Sequence, residues 1–157
     1  MRNLKVLFAG ILMGAALSLS AQQPVVMLEN QSNFGFSETI EKINKAVEGT
    51  GWRITIIHDL QETMMKNGKE VLPVKVVEIC NPNLAYRVLS SDDQRSVSAF
   101  LPCRLSVYEK NDGKTYISRM NSPAFAGMIG GDAAAVIEEA FSQAEKLVEP
   151  LVGTVDL

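Results

Sequence analysis

Cys80 and Cys103 are the two cysteines of the chain, and each lies beside a proline, in Ile-Cys-Asn-Pro and in Leu-Pro-Cys-Arg. Asn81 and Pro82 suit the cap and first position of a helix, so Cys80 is expected just ahead of a helix N-terminus. Free amides and the dipole at such an end favour negative charge, which predicts a lowered thiol pKa at Cys80. A thiolate there would be a nucleophile or a ligand for a soft metal, copper(I) in particular. Met120 could add a thioether from a neighbouring strand. Together Cys80, Cys103 and Met120 are the candidate ligand-binding residues, with Cys80 and Cys103 as candidate metal ligands for copper(I) or a metal cofactor such as haem. The same two cysteines are also the candidate disulfide. They stand 23 positions apart, which is not the Cys-x-x-Cys spacing of a thioredoxin-type oxidoreductase.

Acid-base catalysis finds less support. His58 is the sole histidine, and the adjacent Asp59 would point to the opposite face of a strand, so no relay follows from their adjacency. Glu62, Glu70 and Glu78 read as solvated or edge charges. The Gly130-Gly131 pair is followed by no Lys-Ser/Thr and is not fed by a strand, so it is not a phosphate cradle.

The elements must bring the thiols together. Strands are expected over Val25 to Leu28, Trp52 to Leu60, Val74 to Cys80, Leu101 to Tyr108 and Thr115 to Asn121. In the second of these, Trp52, Ile54, Ile56, His58 and Leu60 share a face by the period-two rule. Helices are expected from Ser37, as N-cap, to about Gly49, over Asn83 to Leu89, and from Asp132 along an apolar stripe that includes Val136, Ala140, Ala144 and Val148. Ser90 to Ser98 and Pro123 to Gly131 read as loops. The helix after Cys80 is short and its linker polar, which argues against a parallel crossover. Antiparallel neighbours would place the end of one cysteine strand beside the start of the other, within the Cα separation of about 4.4 to 6.8 Å that a disulfide needs.

Asn111-Asp112-Gly113 marks a hairpin. With Asp112-Gly113 as a two-residue turn, Leu105 faces Met120 and Cys103 faces Ser122, Met120 lies diagonal to Cys103, and Arg119 falls on the wet face. A three-residue turn would set Leu105 against Arg119 and mix the faces, so the two-residue turn is the expected one. The pattern as a whole predicts an α+β fold, two-layered, with a mostly antiparallel sheet of four to five strands and two long helices on one face.

Residues 1 to 21 carry a basic start, an apolar run from Val6 to Leu17 and small residues before Gln22, the order of a secretory signal. The run is too short to span a bilayer, which takes about 20 residues. The expectation is an exported, periplasmic protein with a leader over 1–21, one domain over 22–157 and no stable membrane insertion once the leader is removed. The net charge is −3, and loss of the leader's Arg2 and Lys5 takes it to −5. That acidic balance argues against nucleic acid as a partner.

Gly51-Trp52, Cys80-Asn81-Pro82, Leu101-Pro102-Cys103-Arg104, Val107-Tyr108, Asp112-Gly113 and Ser118-Arg119-Met120-Asn121 form a constellation over nearly the whole mature chain. It resembles the bacterial family known as domain of unknown function 302, in a two-cysteine branch. The resemblance implies a compact α+β fold and a homodimer with strand-to-strand contacts, and no established activity. Three readings of function follow from the residues. The first is a protein that binds a small ligand, a soft metal or a metal cofactor at Cys80 and Cys103. The others are a non-catalytic dimeric interaction module stiffened by a disulfide, and a handler of thiols or sulfur compounds. Binding without turnover is the expectation, so the chain is read as no enzyme.

Overall fold

The turn at Asn111-Asp112-Gly113 sets the register of the sheet centre. In the computed structural model, which describes residues 25–153, Gly113 adopts φ +72° and closes a three-residue turn, its N–H donating to the Lys110 carbonyl at 2.9 Å. Positive φ costs an L side chain about 1 to 2 kcal/mol and glycine nothing comparable. The flanking strands, β4 (Cys103–Glu109) and β5 (Thr115–Met120), therefore pair Val107 with Ile117 and Leu105 with Arg119. This corrects the expected two-residue turn. Arg119 belongs to the covered face and is only 8% exposed, whereas Met120 turns to the open face and is 42% exposed. The cost of a buried guanidinium is offset by two 2.6 Å bonds that Arg119 donates to the Glu145 carboxylate and a third, also 2.6 Å, to the Asn30 side-chain oxygen.

Three further strands complete an antiparallel sheet: β1 (Met27–Gln31), β2 (Arg53–Asp59) and β3 (Val74–Cys80). The order is β1-β5-β4-β3-β2. In β3, Val77 stands opposite Leu105 and Ile79 opposite Cys103. The expected antiparallel placement of the two cysteine strands is thus present. β2 departs from strict alternation, because its register against β3 shifts between Ile54 and Ile56. The bulge hands Ile56 and His58 to the open face, opposite Glu78 and Val76, while Trp52 remains buried on the other. The single apolar face expected from Trp52 to Leu60 is split for that reason.

Five helices accompany the sheet: α1 (Phe36–Val47), α2 (Leu60–Lys66), α3 (Pro82–Leu89), α4 (Pro123–Ile129) and α5 (Gly131–Val148). Of these, α1, α3 and α5 cover one of its faces. Ile43 and Val47 of α1, Leu84 and Val88 of α3, and Val136, Ala140, Ala144 and Val148 of α5 share one core with Val77, Ile79, Leu105, Val107 and Ile117 of the sheet. The fold is α+β with a five-stranded antiparallel sheet, as expected, and α1 and α5 are the two long helices.

Local chemistry explains the helix starts. Asn81 caps α3, its side-chain oxygen accepting from the Asn83 amide at 3.1 Å, with Pro82 in the first turn, as the sequence suggests. Helix α1 begins two residues earlier than expected, with Gly35 rather than Ser37 at the cap, and the Thr39 hydroxyl donates to the Gly35 carbonyl at 2.9 Å. Pro123 to Gly131 was expected as a loop, yet Pro123 opens α4, a proline-first start that needs no amide donor. Glycines 130 and 131, at φ +71° and +62°, separate α4 from α5. Asp132 lies inside the first turn of α5 and accepts from Arg87 at 3.2 Å instead of capping the helix. Part of the expected loop at Ser90 to Ser98 is a 3-10 helix over Arg95–Phe100. Among the described residues no helix is long and apolar enough to cross a membrane. The leader expected over residues 1–21 lies outside the described residues.

Candidate ligand site at the forked end of the sheet

The ladders do not end together. The β3–β4 ladder runs on to Ile79 opposite Cys103, and β1–β5 runs on to Met27 opposite Met120, but β4–β5 stops at Leu105 opposite Arg119. Beyond that point β5 follows β1, the Asn121 N–H donating to the Val26 carbonyl at 2.9 Å. The sheet therefore forks, with β3 and β4 as one prong and β1 and β5 as the other. A cavity of about 290 Å³ opens at the fork.

Both prongs supply sulfur to its walls. Cys80 and Cys103 come from one prong, and Met27 and Met120 from the other. Apolar groups make most of the rest, among them Trp52, Phe100 and Phe125 and, from α5, Ile137, Ala140 and Ala144. The volume sits at the low end of the range for small-molecule pockets, about 300 to 1,000 Å³. Cys80 and Cys103 are free thiols, so the expected disulfide is not formed.

Sequence reasoning placed Cys80, Cys103 and Met120 near one another, and all three line the one cavity. Met120 arrives there by a different route from the expected one. It is not diagonal to Cys103 on a shared face but stands on the opposite prong, on the open side of the sheet. Met27, Trp52 and Phe100 were not anticipated as site residues. Met27 was visible only as part of a short apolar strand, because its neighbour Met120 is distant in sequence. Arg119 was placed on the wet face, and its real partner, Glu145, lies on a helix 26 residues further on.

The thiols are not activated. Burial pushes the Cys103 thiol up to about 11, and the neighbouring Cys80 adds to the effect. Burial also raises Cys80, with the Arg53 guanidinium pulling part of the way back. The lowering expected from the helix end is thus reversed at Cys80. Its physical reason is local: Asn81 already occupies the Asn83 amide of α3, and loss of water outweighs the opposing charge. Asn81 is itself held, since its amide nitrogen and the Trp52 indole N–H donate to one oxygen of Gln143, at 3.3 and 3.0 Å. At neutral pH the site presents two protonated thiols in an apolar wall. That is a surface for binding and a source of two displaceable protons, and it is a poor nucleophile.

His58 is committed elsewhere. Its Nε2 lies 3.2 Å from Glu78 Oε1, which also accepts from Arg104 Nε at 3.0 Å. Burial alone would raise the Glu78 carboxyl, but the bonds from Arg104 and His58 outweigh it and hold the group below its ordinary value. Asp59 caps α2 through the Glu62 amide at 2.8 Å and pairs with Lys75 at 3.2 Å. The described residues contain no group of three or more His, Cys, Asp or Glu that could hold a metal ion.

Residues 28–151 match the family described as Domain of unknown function DUF302. The chain belongs to the DUF302 family. A solved relative is similar over the same region: the crystal structure of an uncharacterized conserved DUF302 protein from Bacillus stearothermophilus, 25% identical, covering 82% of this chain and 99% of that one, with a TM-score of 0.72. No curated protein matches this DUF302 chain.

Proposed function

We propose that this DUF302 chain is an exported, non-catalytic binding protein of a two-cysteine branch, which takes up a small ligand or a soft metal in the cavity at the sheet fork. The observation that carries the reading is that both cysteines, 23 positions apart in sequence, line one mostly apolar cavity. Protonated, half-buried thiols favour holding a ligand over attacking one. The cavity volume supports a compact ligand in preference to a macrocycle the size of haem. In this reading the leader over 1–21 is removed on export, and the working form is the homodimer that the family resemblance implies. The structural-disulfide alternative draws its support from the adjacency of the two strand ends, Ile79 standing opposite Cys103.

A neutral naphthalene dye, 1-anilinonaphthalene, tests the reading. It is expected to bind the reduced protein saturably at one site per chain. Ala140→Leu and Ala144→Leu place extra methylenes in the α5 wall of the cavity and should each weaken the dye by about tenfold or more, equal to about 1.4 kcal/mol. Circular dichroism reports whether each variant is folded. Folded variants that bind the dye as the parent does would remove the cavity from the account.

A further inference from the structure

The cavity at the fork has two unlike ends. Met27, Phe100, Arg104 and Met120 are exposed and mark the mouth, while Leu105, Val136, Ala140 and Ala144 are buried and form an apolar floor. Among the described residues, three charged side chains line it: Arg104, Arg119 and Glu145. Arg119 and Glu145 satisfy each other through two 2.6 Å bonds. Arg104 is left with donors to spare: its Nε donates to Glu78 Oε1 at 3.0 Å, and Nη1 and Nη2 have no hydrogen-bond partner among the described residues. Glu78 lies outside the cavity wall. Ser106, two residues along β4 on the same face as Arg104, stands opposite Ser118, and both serines line the cavity. One guanidinium and two hydroxyls therefore border a space with no free carboxylate among the described residues, in a chain whose net charge is −3.

We propose that the cavity takes a single-chain carboxylate of about ten carbons, with its tail along the α5 wall and its head on Arg104. The inference rests on the binding reading above and names the ligand class for that cavity. The length follows from the volume: a water-sized group occupies about 30 Å³, so a cavity of about 290 Å³ holds about ten such groups. An extended shape follows from the walls, since Ser106 and Ser118 belong to the open face of the sheet while Leu105 and the α5 residues belong to the covered side. The head group follows from the free donors. A planar guanidinium matches the two oxygens of a carboxylate, and Glu78 anchors this one through Nε while leaving both Nη groups available. An uncharged chain fills the same floor and leaves those donors to water.

The experiment displaces 1-anilinonaphthalene from the protein with decanoate and, separately, with decanol. Both are expected to compete at the single dye site. Arg104→Gln should weaken decanoate by about fivefold and leave decanol and the dye unchanged, the size being set by solvent screening of a side chain that is 61% exposed. Raising the salt concentration should weaken decanoate alone. Ala140→Leu narrows the floor and should weaken decanoate and decanol alike. Circular dichroism shows whether each variant is folded. A folded Arg104→Gln that holds decanoate as the parent does, or that loses decanoate and decanol equally, overturns the carboxylate assignment and leaves the cavity reading standing. Decanoate that fails to displace a bound dye has the same meaning. Failure of the dye, decanoate and decanol all to bind removes the two readings together.

Discussion

Glu145→Ala is expected to destabilise the protein by about 3 kcal/mol, because it strands a buried guanidinium. Arg119 is 8% exposed and spends three of its N–H groups on Glu145 and Asn30, each bond 2.6 Å long. Breaking a fully buried pair from one side typically costs about 3 to 5 kcal/mol, and the 29% exposure of the Glu145 side chain sets the expectation at the lower end. In urea the midpoint should fall by about 1 to 3 M with the slope unchanged, taking a slope of about 1 to 3 kcal/mol per M. The companion variant Arg119→Met with Glu145→Leu removes both charges and should recover most of the loss, since an apolar pair of similar volume replaces the ion pair without stranding either partner. A loss under about 1 kcal/mol in Glu145→Ala would mean that the guanidinium finds water, and the covered placement of Arg119 would fall with it.

The second large effect contrasts two isoleucines. Ile117 is 0% exposed at the sheet centre, opposite Val107, and Ile117→Ala should cost about 3 to 4 kcal/mol in lost burial and residual cavity. Ile56 sits past the bulge in β2 and is 47% exposed, so Ile56→Ala should cost less than about 1 kcal/mol. Read by alternation alone, Ile56 would share the buried face of Trp52 and the two substitutions would be of similar severity. Equal midpoints in urea for the two variants would contradict the bulge.

These two cases mark where sequence patterns lose their grip. The cap of α3 was legible because Asn81, Pro82 and the Asn83 amide lie within three residues. The antiparallel placement of Cys80 beside Cys103 was legible because the helix between them is too short to cover a crossover. The hairpin register was not, since its deciding interaction joins Arg119 to Glu145 and to Asn30, 89 residues earlier. Hydrophobic pattern treats arginine as a solvent residue, and here a bidentate carboxylate makes it a core residue. The bulge between Ile54 and Ile56 leaves no glycine or proline to announce it. Helix α4 was hidden by small residues that suit a loop or a helix equally.

The candidate site divides in the same way. Its two cysteines were visible as residues beside turns, and the adjacency of their strand ends followed from strand direction. The fork was invisible, because it depends on β5 following β1 after Arg119, and β1 is the strand furthest from β5 in sequence. Met27 entered the site only through that pairing. The electrostatics also inverted: a helix end suggested a lowered Cys80 pKa, while burial raises both thiols.

The most direct measurement of the central claim, that the cavity holds its ligand against the two cysteines, is site-resolved alkylation. Reduced protein is treated with iodoacetamide at pH 8, with and without saturating 1-anilinonaphthalene, and modification at Cys80 and Cys103 is followed by peptide mass spectrometry. With its pKa at about 11, Cys103 should begin with on the order of one thiolate per thousand and react slowly, and Cys80 should react faster. Bound dye should slow both sites by about tenfold or more, because it fills the space the reagent must enter. Unchanged rates at both cysteines with the dye bound would contradict the account.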